Sequence, residues 1–225
     1  MHKKILAICA ALVALGALAI PAAASAAVTL REAGTTVPLN TKITGVGDET
    51  SVFAGGSLTV ECNDDNTITG ELVKNNGTNV EGAISSAGFH GTETGTKCNG
   101  GSLLGPTTVK IPALEAGGKW CLKNITGEDK FEVIGANCGT ASGTLTFILE
   151  GSITCIYTRT TAVTGTFTTT TGASASTLAV TGAPSFSKEA GSNILCPATG
   201  NINVMKFTLT TDNEAKTPLQ LDDLS

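Results

Sequence analysis

Large apolar residues alternate with polar ones along several short segments of this chain. From Leu145 to Leu149 every second residue is large and apolar, and after a turn at Gly151 the same alternation resumes from Ile153 to Tyr157. A period of two is typical of a strand with one buried face. Two such segments joined through a glycine turn predict a β-hairpin.

Residues 67–85 predict a second hairpin, whose turn contains the sequence Asn-Asn-Gly at 75–77. This turn could be a loop of two residues or of three, and the two loops give different registers. The three-residue loop places Leu72 opposite Val80 and Ile68 opposite Ile84. We expect this register because it puts four apolar side chains on one face, and a buried face specifies register.

Threonine is the commonest residue between positions 158 and 177. The alternation continues through this stretch, with Val163 and Phe167 on one face and most of the threonines on the other. Threonine suits an exposed strand face, because its branched side chain fits the pleat and its hydroxyl remains solvated. We therefore interpret these threonines as the outer face of strands and residues 168–176 as a loop. An ice-binding or crystal-binding surface would need Thr-x-Thr at one fixed spacing, and the spacings here are unequal.

Short apolar segments separated by glycine continue along most of the chain. Further strands are expected at Ser57–Cys62, Thr107–Ala113, Lys119–Ile125, Lys130–Cys138, Thr177–Thr181 and Asn203–Asp212. No amphipathic helix period stands out. The predicted fold is all-β, an antiparallel β-sandwich or barrel of short strands.

The first 26 residues predict a secretory signal peptide. Lys3 and Lys4 precede an apolar run of 16 residues from Ile5 to Ile20, and Pro21 and several alanines follow. The run is shorter than the roughly 20 residues of a membrane-spanning helix, and its flanks are those of an export signal. Cleavage is expected after Ala26 or after the next residue. Residues 27–225 are then predicted to form a single exported all-β domain with no membrane span, at an extracellular or cell-surface location.

Removal of the signal changes the charge balance. The chain has 14 basic and 19 acidic side chains, and losing Lys3 and Lys4 leaves 12 basic ones, a formal net charge of −7. A negative chain without a basic cluster argues against nucleic acid as a partner.

Six cysteines remain after Cys9 leaves with the signal. An even number in an exported chain predicts three disulfides. These six residues are the candidate disulfide sites: Cys62, Cys98, Cys121, Cys138, Cys155 and Cys196.

Strand alternation suggests a pairing for these cysteines. Cys121 lies on the opposite face from Trp120, and Cys138 lies on the opposite face from Phe131, so two neighbouring strands each turn a cysteine away from the apolar face. We therefore predict a Cys121–Cys138 disulfide. Pairing of neighbours along the chain then predicts Cys62–Cys98 and Cys155–Cys196.

The mature chain offers few groups for catalysis. His90 is its single histidine, and no G-x-S-x-G, H-E-x-x-H or phosphate-binding loop occurs. Acidic residues lie in turn-like pairs such as Asp64-Asp65, whose spacing does not fit a calcium loop. We expect no catalytic residue, no metal and no cofactor. A hydrolase using two carboxylates from separate loops is the enzymatic alternative.

Several short motifs carry a resemblance to a group of other proteins. They are GGSLTVEC at 55–62, KNNGT at 74–78, GGSLLGP at 100–106, WCLK at 120–123 and GTLTF at 143–147. On these motifs the chain resembles a group of secreted all-β bacterial proteins with three probable disulfides and no assigned activity. The resemblance implies an exported all-β fold and implies no ligand or catalytic residue.

Three functional hypotheses follow. The first is a non-catalytic extracellular or cell-envelope-associated protein with a binding or structural role, for which cell-envelope material is the candidate partner and the ligand is unknown. The second is the carboxylate hydrolase. The third is a secreted carrier of small molecules, which requires sheets closed into a barrel around an apolar cavity.

Overall fold

The computed structural model describes residues 27–91, 97–168, 175–212 and 217–224, so the predicted signal peptide and most of the predicted loop at 168–176 lie outside the described residues. Strands and two single-turn helices make up the regular structure of these ranges. They are β1 Ala27–Glu32, β2 Thr35–Thr36, β3 Lys42–Gly47, β4 Ser51–Gly55, β5 Leu58–Cys62, β6 Thr67–Asn75, β7 Val80–Gly88, β8 Cys98–Asn99, α1 Gly101–Leu104, β9 Pro106–Lys110, α2 Pro112–Glu115, β10 Trp120–Ile125, β11 Lys130–Ile134, β12 Leu145–Glu150, β13 Thr154–Arg159, β14 Val163–Thr168, β15 Thr177–Val180, β16 Ser185–Lys188, β17 Thr199–Val204, β18 Lys206–Thr211 and β19 Leu219–Leu224.

Sixteen of these strands form two closed antiparallel barrels of eight strands each. The first barrel has the order β10-β11-β14-β15-β18-β3-β6-β7. The second barrel has the order β12-β13-β16-β17-β4-β5-β8-β9. The predicted all-β antiparallel class is confirmed, and of the two predicted architectures the chain adopts the barrel.

The chain passes back and forth between the two barrels. After β3 of the first barrel it forms β4 and β5 of the second, returns for β6 and β7, and continues in pairs until it ends in β18 of the first. We call the level at which the chain passes from one barrel to the other the junction. On the two sides of the junction, consecutive strands have neighbours that are themselves consecutive in the chain: β3 pairs with β6 and β18, while β4, which follows β3, pairs with β5 and β17. The two barrels therefore stack end to end, as one up-and-down barrel of eight long strands that are each interrupted at the junction.

A small third sheet has the strand order β19-β1-β2, and we call it the terminal sheet. Leu30 of β1 and Leu221 of β19 are opposite each other in register, and both are buried. They belong to the same apolar cluster as Leu72 and Leu209 of the first barrel. The terminal sheet thus packs on the first barrel and extends its core.

The hairpins match the expected alternation. Strand β12 pairs with β13 with Phe147 opposite Tyr157 and Leu149 opposite Cys155, and all four side chains are buried. In β14 the burial alternates residue by residue, with Val163, Gly165 and Phe167 inside and the threonines outside. The interpretation of these threonines as an exposed strand face is confirmed.

The predicted register of the β6–β7 hairpin is wrong. The structure places Asn75 opposite Val80 and Leu72 opposite Gly82, with irregularities that shift the ladder twice. The loop has four residues, 76–79, because the Asn76 Oδ1 atom accepts hydrogen bonds from the backbone N–H groups of the two residues that end the turn. Within that loop Gly77 has a φ of 81°, the left-handed conformation expected of it.

Two glycines of this hairpin provide a test of the packing. A Cβ atom on Gly70 would lie 2.4 Å from the backbone oxygen of Ala83, whereas a Cβ on Gly82 would meet nothing closer than 3.9 Å. We expect Gly70→Ala to lower the free energy of unfolding by about 1–3 kcal/mol, because the neighbouring strand must shift. The matched variant Gly82→Ala should stay within about 0.5 kcal/mol of the wild type.

Urea unfolding of both variants measures this difference. Equal stability of Gly70→Ala and Gly82→Ala would contradict the close approach of β6 and β7 at this point.

Candidate functional site

An apolar cavity of about 90 Å³ lies where the two barrels meet. Its walls come from both barrels, including Ile84 and Val180 of the first and Phe53 and Ile202 of the second. Every side chain that lines it is apolar or aromatic, and no polar atom contributes to its surface. We call it the junction cavity.

Aromatic side chains close the junction cavity on the side of the second barrel. The ring of Phe147 lies 4.8 Å from that of Phe186, 5.3 Å from that of Phe53 and 5.5 Å from that of Tyr157, measured between centroids. Phe53 also makes an edge contact with Phe89 at 5.4 Å. Aromatic pairs at such distances add stability beyond their buried area, so this cluster is the packed core of the second barrel.

A second apolar space of about 70 Å³ lies on the other side, between the junction cavity and the terminal sheet. The two spaces have four lining residues in common, namely Ile68, Ile84, Leu122 and Leu178. Leu30 and Leu221 of the terminal sheet also line the second space, which we call the lid cavity. The interior of the first barrel therefore runs from the terminal sheet to the aromatic cluster and is incompletely filled along its length.

The strand pattern explains which residues face these cavities. Trp120 and Leu122 of β10 line the junction cavity, whereas Cys121 between them lies on the opposite face of the strand. An eight-stranded barrel has an interior that side chains fill or that holds one small ligand. Here small inward residues such as Ala87 and Val133 leave part of that interior empty.

Three disulfides join the six described cysteines in the pairs expected from the sequence. Cys62–Cys98 and Cys155–Cys196 lie in the second barrel, and all four of these residues are buried. Cys121–Cys138 ties β10 of the first barrel to the segment after β11. The second barrel thus has two internal covalent links, and none of the three disulfides reaches the terminal sheet.

One group of potential metal ligands occurs among the described residues. Glu81, Cys121 and Cys138 have their ligand atoms within 4.8 Å of one another. However, the two sulfur atoms are joined in a disulfide, and the carboxylate of Glu81 pairs with Lys74 at 3.1 Å. In this oxidised state the sulfur atoms are not thiolates, which are the form of cysteine that binds metals.

The residues considered for catalysis do not line the junction cavity, and Glu71 is the one carboxylate among the described residues that line the lid cavity. His90 follows β7, and its backbone N–H donates to the Oδ1 atom of buried Asn66 at 2.9 Å. Asp48 forms an ion pair with Lys206 at 2.7 Å, and this hydrogen bond raises the pKa of the lysine. None of the described residues that line the junction cavity carries a carboxylate or an imidazole.

The sequence identified the inward face of several strands but not the cavities. Val180 and Met205 line the junction cavity from neighbouring long strands, yet they lie outside any motif. The only signal that could have singled them out is the size of the side chains in each inward row. The sizes of the inward side chains can be interpreted only when it is known which strands are neighbours in the barrel.

Comparison with protein-family models, with curated proteins and with solved structures finds no match for this chain. The class of protein is therefore defined by the fold and the site themselves. It is an antiparallel β-barrel protein with three disulfides and an apolar internal cavity.

Tyr157 gives a test of the aromatic cluster. Its side chain is fully buried, its hydroxyl donates to the Pro197 carbonyl oxygen at 3.3 Å, and burial raises its pKa above the usual 10.0. Tyr157 is the single tyrosine of the chain, so absorbance of its phenolate reports on this group alone.

We expect the phenolate to form in the folded protein at a higher pH than the usual pKa of 10.0, because burial raises the pKa of Tyr157. The neutral form stabilises the fold fully below pH 10, and this contribution is lost as pH rises through the folded pKa, by up to ~1.4 kcal/mol for each pH unit. The variant Tyr157→Phe keeps the aromatic ring but has no hydroxyl to ionise, so its free energy of unfolding should not show this loss above pH 10. Titration at the usual pKa without unfolding would contradict the buried position.

Proposed function

We propose that this protein is a non-catalytic binding protein that holds a small apolar molecule inside its barrel. The observation that carries the proposal is the junction cavity, which lies within closed sheets and has a wholly apolar lining. Closed barrels with an internal cavity are a common architecture of small-molecule carriers. Of the three hypotheses, the carrier is the one that required such a cavity.

The lining of the cavity indicates the chemical class of the ligand. A charged or strongly polar group moved into this space would lose its hydration, at a cost of several kcal/mol. The one polar side-chain group of the lining is the indole N–H of Trp120, which is buried without a hydrogen-bond partner. An empty apolar cavity of about 150 Å³ in another protein stays dry and binds benzene or xenon. The space of about 90 Å³ here fits an uncharged molecule no larger than a single hydrocarbon ring.

The placement of the ionisable groups supports a non-catalytic role. A carboxylate hydrolase needs two carboxyl groups across one cleft. In the described part of the chain several carboxylates form ion pairs on the outside of the sheets, for example Glu132 with Lys123 at 2.9 Å. This arrangement fits solvated outer faces better than a substrate cleft.

The outer surface gives less support to a surface-binding role. Thr164, Thr166 and Thr168 are exposed on β14. Because β14 belongs to a closed barrel, its outer face curves away from any plane. Binding to cell-envelope material stays a prediction. A flat surface of aligned threonines does not support it.

We further propose that the protein is exported. All six cysteines of the mature chain are in disulfides, which persist in oxidising compartments. Among the described residues no helix is long and apolar enough to cross a membrane. All of the described strands lie after the predicted cleavage point.

The export proposal predicts a defined mature chain. When the full sequence is expressed in an exporting bacterial host, we expect the oxidised product outside the cytoplasm, beginning at Ala27 or Val28. Intact mass before and after reduction measures both features, since three disulfides add six mass units on reduction. A cytoplasmic product that retains residues 1–26 would contradict the proposal.

Benzene provides the test of the carrier proposal. We expect it to bind saturably to the oxidised chain that begins at Ala27. Trp120, the single tryptophan, lines the cavity, so its fluorescence should change as the site fills. The methyl NMR signals of Ala87 and Val180 should shift over the same range of concentration.

A pair of variants distinguishes the cavity from the surface. Ala87→Leu places a larger side chain in the junction cavity and should weaken benzene binding at least ~10-fold while keeping or raising the melting temperature. Ala179→Leu makes the same change on the outer face of β15 and should bind like the wild type. Absence of saturable binding by the wild type, or equal binding by Ala87→Leu, would overturn the proposed function.

A further inference from the structure

We propose that ligands reach the cavities through the end of the first barrel that the terminal sheet covers, and that Asn75 and Ser176 latch this sheet in its closed position. The inference rests on the proposed function, because it names the gate of the same binding site. It is carried by hydrogen bonds between the terminal sheet and the barrel rim.

The opposite end of the molecule is poorly suited to opening. There the aromatic cluster fills the second barrel, the buried Cys62–Cys98 disulfide joins β5 to β8, and the buried Cys155–Cys196 disulfide ties β13 to the segment between β16 and β17. Leu104 of α1 is fully buried in the same core. An opening at this end would have to separate covalently linked strands and expose a large apolar core.

The terminal sheet closes the other end without a disulfide to the barrel, and the chain joins it to the barrel only through the segments that lead from β2 to β3 and from β18 to β19. Leu30 and Leu221 of this sheet line the lid cavity, so they form its outer wall. Beyond the lid cavity lies the junction cavity, which has four lining residues in common with it. Displacement of the terminal sheet would therefore open a direct path through the lid cavity to the junction cavity.

Asn75 forms the first latch. It lies at the end of β6 on the rim of the first barrel, and its side chain reaches the backbone of the terminal sheet. The Oδ1 atom accepts a hydrogen bond from Leu30 N–H at 3.0 Å. The Nδ2 atom donates to the carbonyl oxygens of Leu30 and Val37, both at 2.9 Å. One amide group thus holds the residue that closes the lid cavity.

Ser176 forms the second latch, on the side of β19. Its side chain is fully buried, and its Oγ atom accepts a hydrogen bond from Leu221 N–H at 2.7 Å. Its backbone N–H donates to the carbonyl oxygen of Leu219 at 2.8 Å. Each of the two leucines that close the lid cavity is therefore held through its own backbone by a polar side chain of the rim.

The test uses Asn75→Ala and Ser176→Ala, with Asn124→Ala as the matched control. Asn124 lies on β10 and forms the same kind of bonds, from Val80 N–H at 2.7 Å and to the Thr78 carbonyl oxygen at 3.2 Å. These bonds hold the β6–β7 turn and do not touch the terminal sheet. The control thus removes a comparable side chain from the same barrel while leaving in place the hydrogen bonds of Asn75 and Ser176 to the terminal sheet.

Amide hydrogen exchange measured by NMR gives a readout that needs no ligand. In Asn75→Ala the amide to follow is Leu221, whose own bond to Ser176 is intact; in Ser176→Ala it is Leu30, still bonded to Asn75. If the sheet opens as a unit, each distant amide should exchange about 10- to 100-fold faster than in the wild type. Amides of the barrel strands β12 and β13 should be unchanged.

The release rate of bound benzene gives the second readout, measured by NMR exchange. We expect both latch variants to release benzene about 10-fold faster or more. The ratio of bound to free benzene should change little, because a gate alters the rate of binding and the rate of release together. Asn124→Ala should release it at the wild-type rate.

The outcomes separate this inference from the proposed function. If the wild type binds benzene and the latch variants release it no faster than Asn124→Ala, the gate is overturned and the binding site stands. If the wild type binds no benzene, the proposed function fails, and hydrogen exchange still decides whether the sheet opens. Exchange confined to the amide that loses its direct partner would overturn the gate in either case.

Discussion

Closure of the barrels between the beginning and the end of the chain is the constraint on which this structure depends. Strand β18 pairs with β3 from Phe207 opposite Gly47 to Thr211 opposite Ile43, and β17 pairs with β4 across the junction. These contacts join strands that are distant in sequence, so they form only after the intervening hairpins lie in order. Closure leaves no open sheet edge in either ring and shields the interior from water. Because closure encloses an apolar interior, it accounts both for the cavities and for the terminal sheet that covers the open end of the first barrel.

The interiors of the two stacked barrels are packed differently. The second barrel fills its interior with aromatic side chains, and it carries two disulfides, Cys62–Cys98 between two strands and Cys155–Cys196 between β13 and the segment before β17. The first barrel has mainly aliphatic residues inside and leaves space among them. Regions with few covalent and packing constraints open at lower free energy than the rest of a fold. This difference gives the molecule one rigid end and one end that a small sheet covers through hydrogen bonds.

The local patterns were reliable where the ladder is regular and failed where it is not. The alternation around Phe147 and Tyr157 predicted both strands and their buried face. The same reasoning gave the wrong register for β6 and β7, because two irregularities shift that ladder and the turn closes on Asn76. Seven strands were not predicted at all, namely β1, β2, β3, β4, β8, β16 and β19. Of these, β1 and β19 stabilise each other from opposite ends of the chain, and β3 and β4 pair with the distant strands β18 and β17.

The sequence by itself determined the strand class and the inward and outward faces of most hairpins, because these depend on residues close together in the chain. It also suggested the pairing of the six cysteines, whose partners are separated by 36, 17 and 41 residues. Only the tertiary structure decided that the sheets close into two barrels, that Leu30 and Leu221 cover one end, and that an apolar space remains inside. The volume of a cavity is the difference between the space that a ring encloses and the side chains that point into it. That difference depends on which strands become neighbours across the whole chain, and no local pattern of residues contains it.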